Sequence, residues 1–199
     1  MGIPSDLGIS SRGTFDKQGN YGFTLMIGNG TGQKPEINKY KKYYANFYAK
    51  LFKNFQSEVY ADHELKGSDH HRTTLKFFAG YSYGKFNLGF EAVNHQITKN
   101  EAKVSSLGIS GYVRTTLVSK SEKPVLNVFA RYDLYNPDSN NDSTGYKENF
   151  IVAGLDYMPL ENIHFMPNIW MNFYHGKSGS SVRRDADIVA RFTFFYIYK

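Results

Sequence analysis

The sequence contains no cysteine and a single tryptophan, and its 199 residues include no apolar run long enough for a membrane-spanning helix. Without cysteine, disulfide scaffolds, thiolate zinc sites and cysteine nucleophiles are excluded. The opening residues 1–6 lack the basic start and the apolar stretch of a signal peptide. The length and the 41% hydrophobic content predict one folded domain over residues 1–199.

What the sequence does contain is alternation of apolar and polar residues in eleven segments, the period of β-strands with two unlike faces. In one segment, for example, Leu107, Ile109 and Val113 share a face while Arg114 lies on the other. The pattern predicts an all-β, antiparallel up-and-down sheet of about eleven strands. Alternation alone leaves open whether the apolar face meets a protein core or lipid.

Two further features favour lipid. Aromatic residues such as Tyr81, Tyr83, Tyr196 and Tyr198 lie near the ends of apolar faces, as in the interfacial girdles of transmembrane barrels. The connections also alternate between short and long. Short turns are expected at 16–20, 53–56, around 84, 120–124 and 159–162, and long polar loops at 28–42, 63–71, 95–103, 136–146 and 175–185. This asymmetry is typical of outer-membrane β-barrels.

The same alternation predicts that the two ends of the chain lie at opposite rims. Bacterial single-chain barrels have an even number of strands, with both ends on the periplasmic side. We therefore expect at least one further strand upstream, so that the chain would be the C-terminal portion of a larger barrel, incomplete at its N-terminus.

Several stretches resemble a known family. The aromatic closing segment ARFTFFYIY (190–198) resembles the last strand of outer-membrane barrels in general. The stretches that carry the family resemblance are the segments DLGI (6–9) and MIGNG (26–30), and the long loop and strand from Tyr43 that follow. Together they resemble the phosphate-selective porin O and P family of Gram-negative outer membranes. The resemblance implies a water-filled channel of about 16 to 18 strands, in contact with outer-membrane lipid, that passes small polar solutes and anions such as phosphate. It implies no cofactor and no metal, and it leaves a homotrimer open as the assembly.

Cations on the polar face, with a lysine cluster in the first long loop, are the candidate pore-lining and anion-interacting residues, because a ring of Lys or Arg lowers the barrier for anion entry. These candidates are Lys34, Lys39, Lys41, Lys42, Lys50, Lys76, Lys85, Arg114, Arg131 and Arg191. Nearly as many carboxylates share the polar face, so cross-strand ion pairs are the competing interpretation. The loop lysines are the group we expect to favour anions.

The main alternative is a soluble lipocalin-like barrel whose apolar face lines a ligand pocket. A less favoured one is an outer-membrane enzyme, for which candidate residues exist but no nucleophile motif accompanies them. The candidates are His164, His175 and Asp187.

Two other classes of site have weaker support. A cation site is conceivable where four potential ligands share one predicted loop, although no further ligand is evident; they are His63, Asp69, His70 and His71. Nucleic-acid binding is not expected, because charged and aromatic residues mostly occupy opposite faces. Pro167 would remove a hydrogen-bond donor from the middle of a strand, so we expect a bulge there.

Overall fold

The computed structural model describes residues 6–32, 34, 38–143, 145–179 and 184–198. Eleven β-strands account for most of them, and no helix occurs in these ranges. The strands are β1 (Gly8–Thr14), β2 (Tyr21–Gly28), β3 (Lys42–Phe52), β4 (Phe55–Gly67), β5 (His70–Tyr83), β6 (Phe86–Lys99), β7 (Ala102–Lys120), β8 (Lys123–Asn136), β9 (Tyr146–Leu160), β10 (Ile163–Gly176) and β11 (Asp187–Tyr196).

The strands form one sheet in sequence order, from β1 to β11. Neighbouring strands whose register is defined pair antiparallel: Ile9 faces Ile27, for instance, and Ala130 faces Ala153. This confirms the predicted all-β, antiparallel up-and-down architecture. Within the described ranges, no helix is long and apolar enough to cross a bilayer.

Tight two-residue turns join many of the strands, and residues in the left-handed region make them. Asn100 and Glu101 have φ of 48° and 68°, and Ser121 and Glu122 have φ of 50° and 66°. Two consecutive positive φ values match the twist of the flanking strands and set the hairpin register. The turn at 121–122 lies where the sequence predicts a short connection, as do those at Asn54 and at 161–162, whereas the turn at 100–101 lies within a predicted long loop.

The strict alternation of short turns and long loops is wrong at two places. The predicted loops 63–71 and 95–103 are continuations of β4, β5, β6 and β7 that close in two-residue turns, at 68–69 and 100–101. Polar residues there misled the prediction, because a strand with a polar face can be as polar as a loop while its backbone stays paired in the ladder. The other three predicted long loops correspond to the stretches between β2 and β3, β8 and β9, and β10 and β11, of which residues 33, 35–37, 144 and 180–183 lie outside the described residues.

The bulge predicted at Pro167 is also misplaced. Pro167 pairs with Phe192 of β11 in an unbroken register. The register shift lies between Ile163 and Phe165, where β9 advances from Leu160 to Tyr157 and so uses one residue more than β10. The extra residue falls in the β9 stretch that contains Pro159, so the bulge accommodates that proline instead.

Burial in the sheet is inverted relative to a soluble protein. Met158 is the one large apolar side chain classed as buried within the described residues, at 9% exposure, whereas Phe192 is 67% exposed. The other buried side chains are polar or charged: Asn29, Asp62, Glu64, Ser105, Asn127, Asn136, Asp156 and Lys177. The predicted apolar face is therefore the exposed one, and the polar face holds the buried contacts.

The chain divides into two compact units by internal contacts. The first comprises Met1–Ala79, Ala92–Leu107 and Asp138–Asn140, and the second comprises Gly80–Glu91, Gly108–Pro137 and Asn141–Lys199. Each unit contains its own cluster of buried polar side chains, described in turn below.

Candidate functional site

In the first unit, a buried carboxylate on the polar face of β3 and β4 contacts a lysine ammonium and a tyrosine hydroxyl. The ammonium Nζ of Lys42 lies 3.2 Å from Oδ2 of Asp62, and the Tyr60 hydroxyl donates to the same oxygen at 2.6 Å. Lys42 also lies 4.8 Å from the ring centroid of Tyr44, in a cation–π contact. Alternation places all four side chains on one face, and the β3–β4 register brings Tyr44 opposite Asp62.

A second pair in the same unit joins β5 to β4. Nζ of Lys76 lies 3.7 Å from Oε1 of Glu58 and 5.9 Å from the ring centroid of Tyr60. Both pairs are cross-strand contacts, which is the arrangement that the ion-pair interpretation expects. Lys42 and Lys76 are thus neutralised in part by adjacent carboxylates.

The loop after β2 is held by Asp6. Its carboxylate accepts hydrogen bonds from the Tyr44 hydroxyl at 2.6 Å and from the amides of Gly30 and Gly32 at 2.9 and 3.1 Å. Burial alone would raise the pKa of Asp6, but these hydrogen bonds to the charged form lower it below its ordinary value. Gly30 has φ of 70°, and a Cβ there would lie 2.9 Å from Oε1 of Glu64, so glycine suits this close approach.

The remaining candidate lysines of this unit lie in or near connections. Lys34 and Lys39 are exposed, and Lys39 lies 5.9 Å from the ring centroid of Tyr40. The Lys41 carbonyl accepts the Leu65 amide at 3.2 Å, which ties the end of the loop to β4. Lys50 is exposed near the end of β3.

In the second unit, a buried network surrounds Asp156 of β9, which is 4% exposed. Its Oδ2 lies 3.3 Å from an amine of Arg114 on β7 and 3.2 Å from Nδ2 of Asn127 on β8. Nδ1 of His164 on β10 lies 2.7 Å from Oδ1. The Thr116 hydroxyl donates to Oδ1 of Asn127 at 2.8 Å, so four consecutive strands meet in one hydrogen-bonded network.

Beside this network, a cavity of about 450 Å³ opens between β6 and β9. Its polar lining comes from Asn87, Arg114 and Arg131, and its apolar lining includes Tyr112, Val113, Phe129, Ala130 and Val152. Nε of Arg131 contacts Oδ1 of Asp133 at 2.8 Å. The Tyr112 ring lies over Gly89, where a Cβ would come within 2.0 Å of it, so the glycine makes room for the ring.

The last two candidate cations of the second unit differ in their surroundings. The guanidinium of Arg191 on β11 stacks 3.6 Å from the ring centroid of Trp170 on β10. Lys85 is exposed in the two-residue turn after β5, where its carbonyl accepts the Thr116 amide at 3.1 Å. Arg191 therefore faces an aromatic ring, whereas Lys85 faces solvent.

The structure thus distributes the ten candidate cations into two groups. Lys42, Lys76, Arg114 and Arg131 each contact a carboxylate on the polar face. The others lie on exposed connections, near strand ends or against an aromatic ring. Their roles in a pore, the single-domain organisation over 1–199 and the assembly state stay predictions.

Sequence reasoning missed the aromatic members of the polar face. Tyr44, Tyr60, Tyr112 and Phe129 were overlooked because aromatic residues were assigned to girdles on the apolar face. The signal that could have found them is parity: Tyr44 and Tyr60 occupy the same alternating positions as Lys42 and Asp62. Asn127 was likewise overlooked, although it is the most buried side chain described, at 1% exposure.

The residues considered for catalysis belong to separate contacts. His164 contacts Asp156, Nδ1 of His175 lies 2.8 Å from Nδ2 of Asn149, and Asp187 accepts the Tyr174 hydroxyl at 2.6 Å. These groups do not assemble into one constellation of nucleophile and base.

The residues considered for a cation site lie on β4 and β5, with one of them in the turn between these strands. The rings of His63 and His71 are 5.7 Å apart, and Nδ1 of His63 lies 2.9 Å from the Thr73 hydroxyl. Within the described ranges, no three His, Asp or Glu side chains are placed to hold a metal ion.

Comparison with known proteins supports the porin resemblance. The model of the family described as phosphate-selective porin O and P matches residues 7–195, which is nearly the whole chain. Comparison with curated proteins gives no significant match. The family is one of outer-membrane porins, which points to a channel in place of an enzyme. The chain therefore belongs to the phosphate-selective porin O and P family.

Proposed function

We propose that the protein forms a water-filled channel in the bacterial outer membrane, through which small polar solutes diffuse, with anions such as phosphate favoured. The observation that carries this proposal is the inverted burial: carboxylates and amides are buried while Leu, Ile, Phe and Tyr side chains are exposed. Only an apolar surrounding makes such exposure favourable, and in an outer-membrane porin that surrounding is lipid.

The exposed apolar side chains are spread along the strands on one parity. Ile27, Phe47, Leu75, Leu117 and Phe194 are examples, each more than 40% exposed. A lipocalin-like protein needs these side chains turned inward to line a ligand pocket. The observed orientation is the reverse, so it supports the membrane channel over that soluble alternative.

Anion preference rests on where cations are left uncompensated. Lys42, Lys76, Arg114 and Arg131 each contact a carboxylate, so we expect these four cations to contribute little net positive field. Lys34 and Lys39 are exposed on the loop after β2, where Asp6 fixes the backbone at Gly30 and Gly32. Exposed lysines on this connection can present a positive potential to entering solutes.

Reversal potentials in planar bilayers test this proposal. The wild-type protein should favour chloride over potassium, and replacing Lys34, Lys39, Lys41 and Lys42 together by Glu should abolish or reverse that preference. The double variant Lys34→Glu/Lys39→Glu keeps the Lys42–Asp62 pair intact. It should shift the reversal potential in the same direction by a smaller amount.

The matched control is Lys17→Glu/Lys53→Glu, which makes the same charge change in two exposed turns, at 15–20 and 53–54. It should leave the reversal potential close to the wild-type value. An unchanged potential in the quadruple loop variant would confine the loop lysines to a solvated surface role and leave a general porin. A protein that stays dispersed without detergent would contradict the membrane channel itself.

A further inference from the structure

We infer that the cavity lined by Arg114, Arg131, Tyr112, Phe129 and Val152 binds an organic anion with a small apolar body, of the chemical class of aromatic monocarboxylates. The inference rests on the proposed function, because it names a solute class for the polar face of the proposed channel. Its test is chosen so that the inference and the proposed function can be refuted independently of each other.

The cavity has the size of a small-molecule site. Its volume of about 450 Å³ lies in the range of about 300–1,000 Å³ that is typical of ligand pockets. The lining comes from β6, β7, β8 and β9, all within the second compact unit. The walls are therefore strands paired in a sheet, which favours a preformed site over a mobile one.

Both arginines in the lining retain hydrogen-bonding capacity. A guanidinium has five N–H donors. The contact of Arg114 with Asp156 is made by one terminal amine, and the contact of Arg131 with Asp133 is made by Nε. Asp156 is also bonded by Asn127 and His164. A carboxylate could therefore engage the remaining donors of both arginines without breaking either ion pair.

The rest of the lining is the reason for expecting an apolar body. Tyr112, Phe129 and Val152 present ring and methyl groups on the face that otherwise carries charges and amides. Inorganic phosphate has no group that would use this surface, whereas an aromatic ring would bury against it and gain from stacking. A cavity lined by both cationic and apolar groups complements a ligand that has a carboxylate and an apolar ring.

Calorimetric titration of the protein in detergent tests the inference with three probes: benzoate, the uncharged isostere benzamide, and inorganic phosphate. Benzoate should bind at least about tenfold more tightly than either of the others, because it alone uses both linings. A detergent-only titration corrects for partitioning of the aromatic probes into micelles.

Two variants separate the contributions of charge and shape. Arg131→Gln should weaken benzoate binding by about tenfold and leave benzamide unaffected, since a charge-assisted hydrogen bond is lost. Val152→Phe retains both arginines but fills the cavity, so it should abolish saturable binding of benzoate. The control Lys120→Gln removes one positive charge from the exposed end of β7, outside the cavity, and should bind benzoate like the wild type.

Other outcomes would overturn the inference. Equal binding of phosphate and benzoate would make the cavity a site for inorganic anions, and equal binding of benzamide would make it an apolar pocket with no role for charge. Benzoate binding that ignores Val152→Phe would place the ligand elsewhere. Loss of chloride preference in the loop variants is independent of these results, so the proposed channel and the proposed site can be refuted one without the other.

Discussion

An arginine placed on the exposed apolar face should distinguish lipid contact from any other explanation of the inverted burial. Ile109 lies on that face of β7, two positions from the middle of the strand Ala102–Lys120. Two residues span about 7 Å along a strand, which is about 5 Å along the bilayer normal at the usual tilt of about 35–45°. Ile109 should therefore lie within an apolar band about 25 Å tall.

At that depth an arginine is costly. Arg on a lipid-facing position costs about 2–4 kcal/mol at the midplane and falls to about 0–1 kcal/mol near the interfaces. For Ile109→Arg we expect about 2–3 kcal/mol of lost unfolding free energy, measured by reversible denaturant unfolding in phospholipid vesicles. Ile109→Gln separates the effect of charge from the loss of the apolar side chain, and it should cost less.

The adjacent residue supplies the matched control. Ser110 lies on the polar face of the same strand, so Ser110→Arg adds the same charge at almost the same depth but toward water and the other polar groups. It should cost less than about 1 kcal/mol. Equal costs at the two positions, or a larger cost at Ser110, would refute the assignment of the apolar face to lipid.

Two further substitutions test the polar networks. Asp6→Asn should lower stability by about 1 kcal/mol at neutral pH by weakening the bonds from Tyr44 and the loop amides. The pKa of Asp6 is lowered in the folded state, so this stability difference should be present above the pKa that Asp6 has in the unfolded chain. The difference should vanish as the pH falls through the pKa of Asp6 in the folded protein. Thermal unfolding at a series of pH values would measure it. Asp156→Ala should lower the unfolding free energy by about 1–3 kcal/mol, since it leaves the buried Asn127 amide without its acceptor. Denaturant unfolding in vesicles would measure this loss. An unchanged stability in either variant would refute the structural role given to that carboxylate.

The strands could be predicted from the sequence because the two faces differ so sharply. A segment such as Leu107 to Leu117 alternates without a charge on its apolar parity, and only a strand keeps such side chains on one side. The ends of β4 to β7 could not be predicted in the same way. Around Glu64 and Lys99 the sequence is polar at most positions, which suits a loop and a strand with a polar face equally, and the pairing that decides between them is made with residues distant in the chain.

The candidate site could likewise be predicted only in part from the sequence. Parity placed Arg114 and Arg131 on the polar face correctly, because it depends only on neighbours in sequence, whereas Lys42 was expected in the loop 28–42 and is instead the first residue of β3. Their partners depend on inter-strand register, so the contact between Arg114 and Asp156 could not be predicted from spacing. The cavity was missed for a further reason: Tyr112 and Phe129 are aromatic residues on the polar parity, and the girdle interpretation had assigned aromatics to the opposite face.

The inverted burial also determines what can hold such a sheet together. With Met158 as the one large apolar side chain classed as buried within the described ranges, the usual gain from a hydrophobic core is small. Backbone pairing must contribute, and apolar burial has to come from the surroundings of the exposed face. The polar side chains then determine the register between strands, because a slip of one residue would turn Asp62 or Asp156 toward the apolar face. The ion pairs on the polar face therefore act as register devices, a structural role that is separate from the one proposed for the exposed loop lysines.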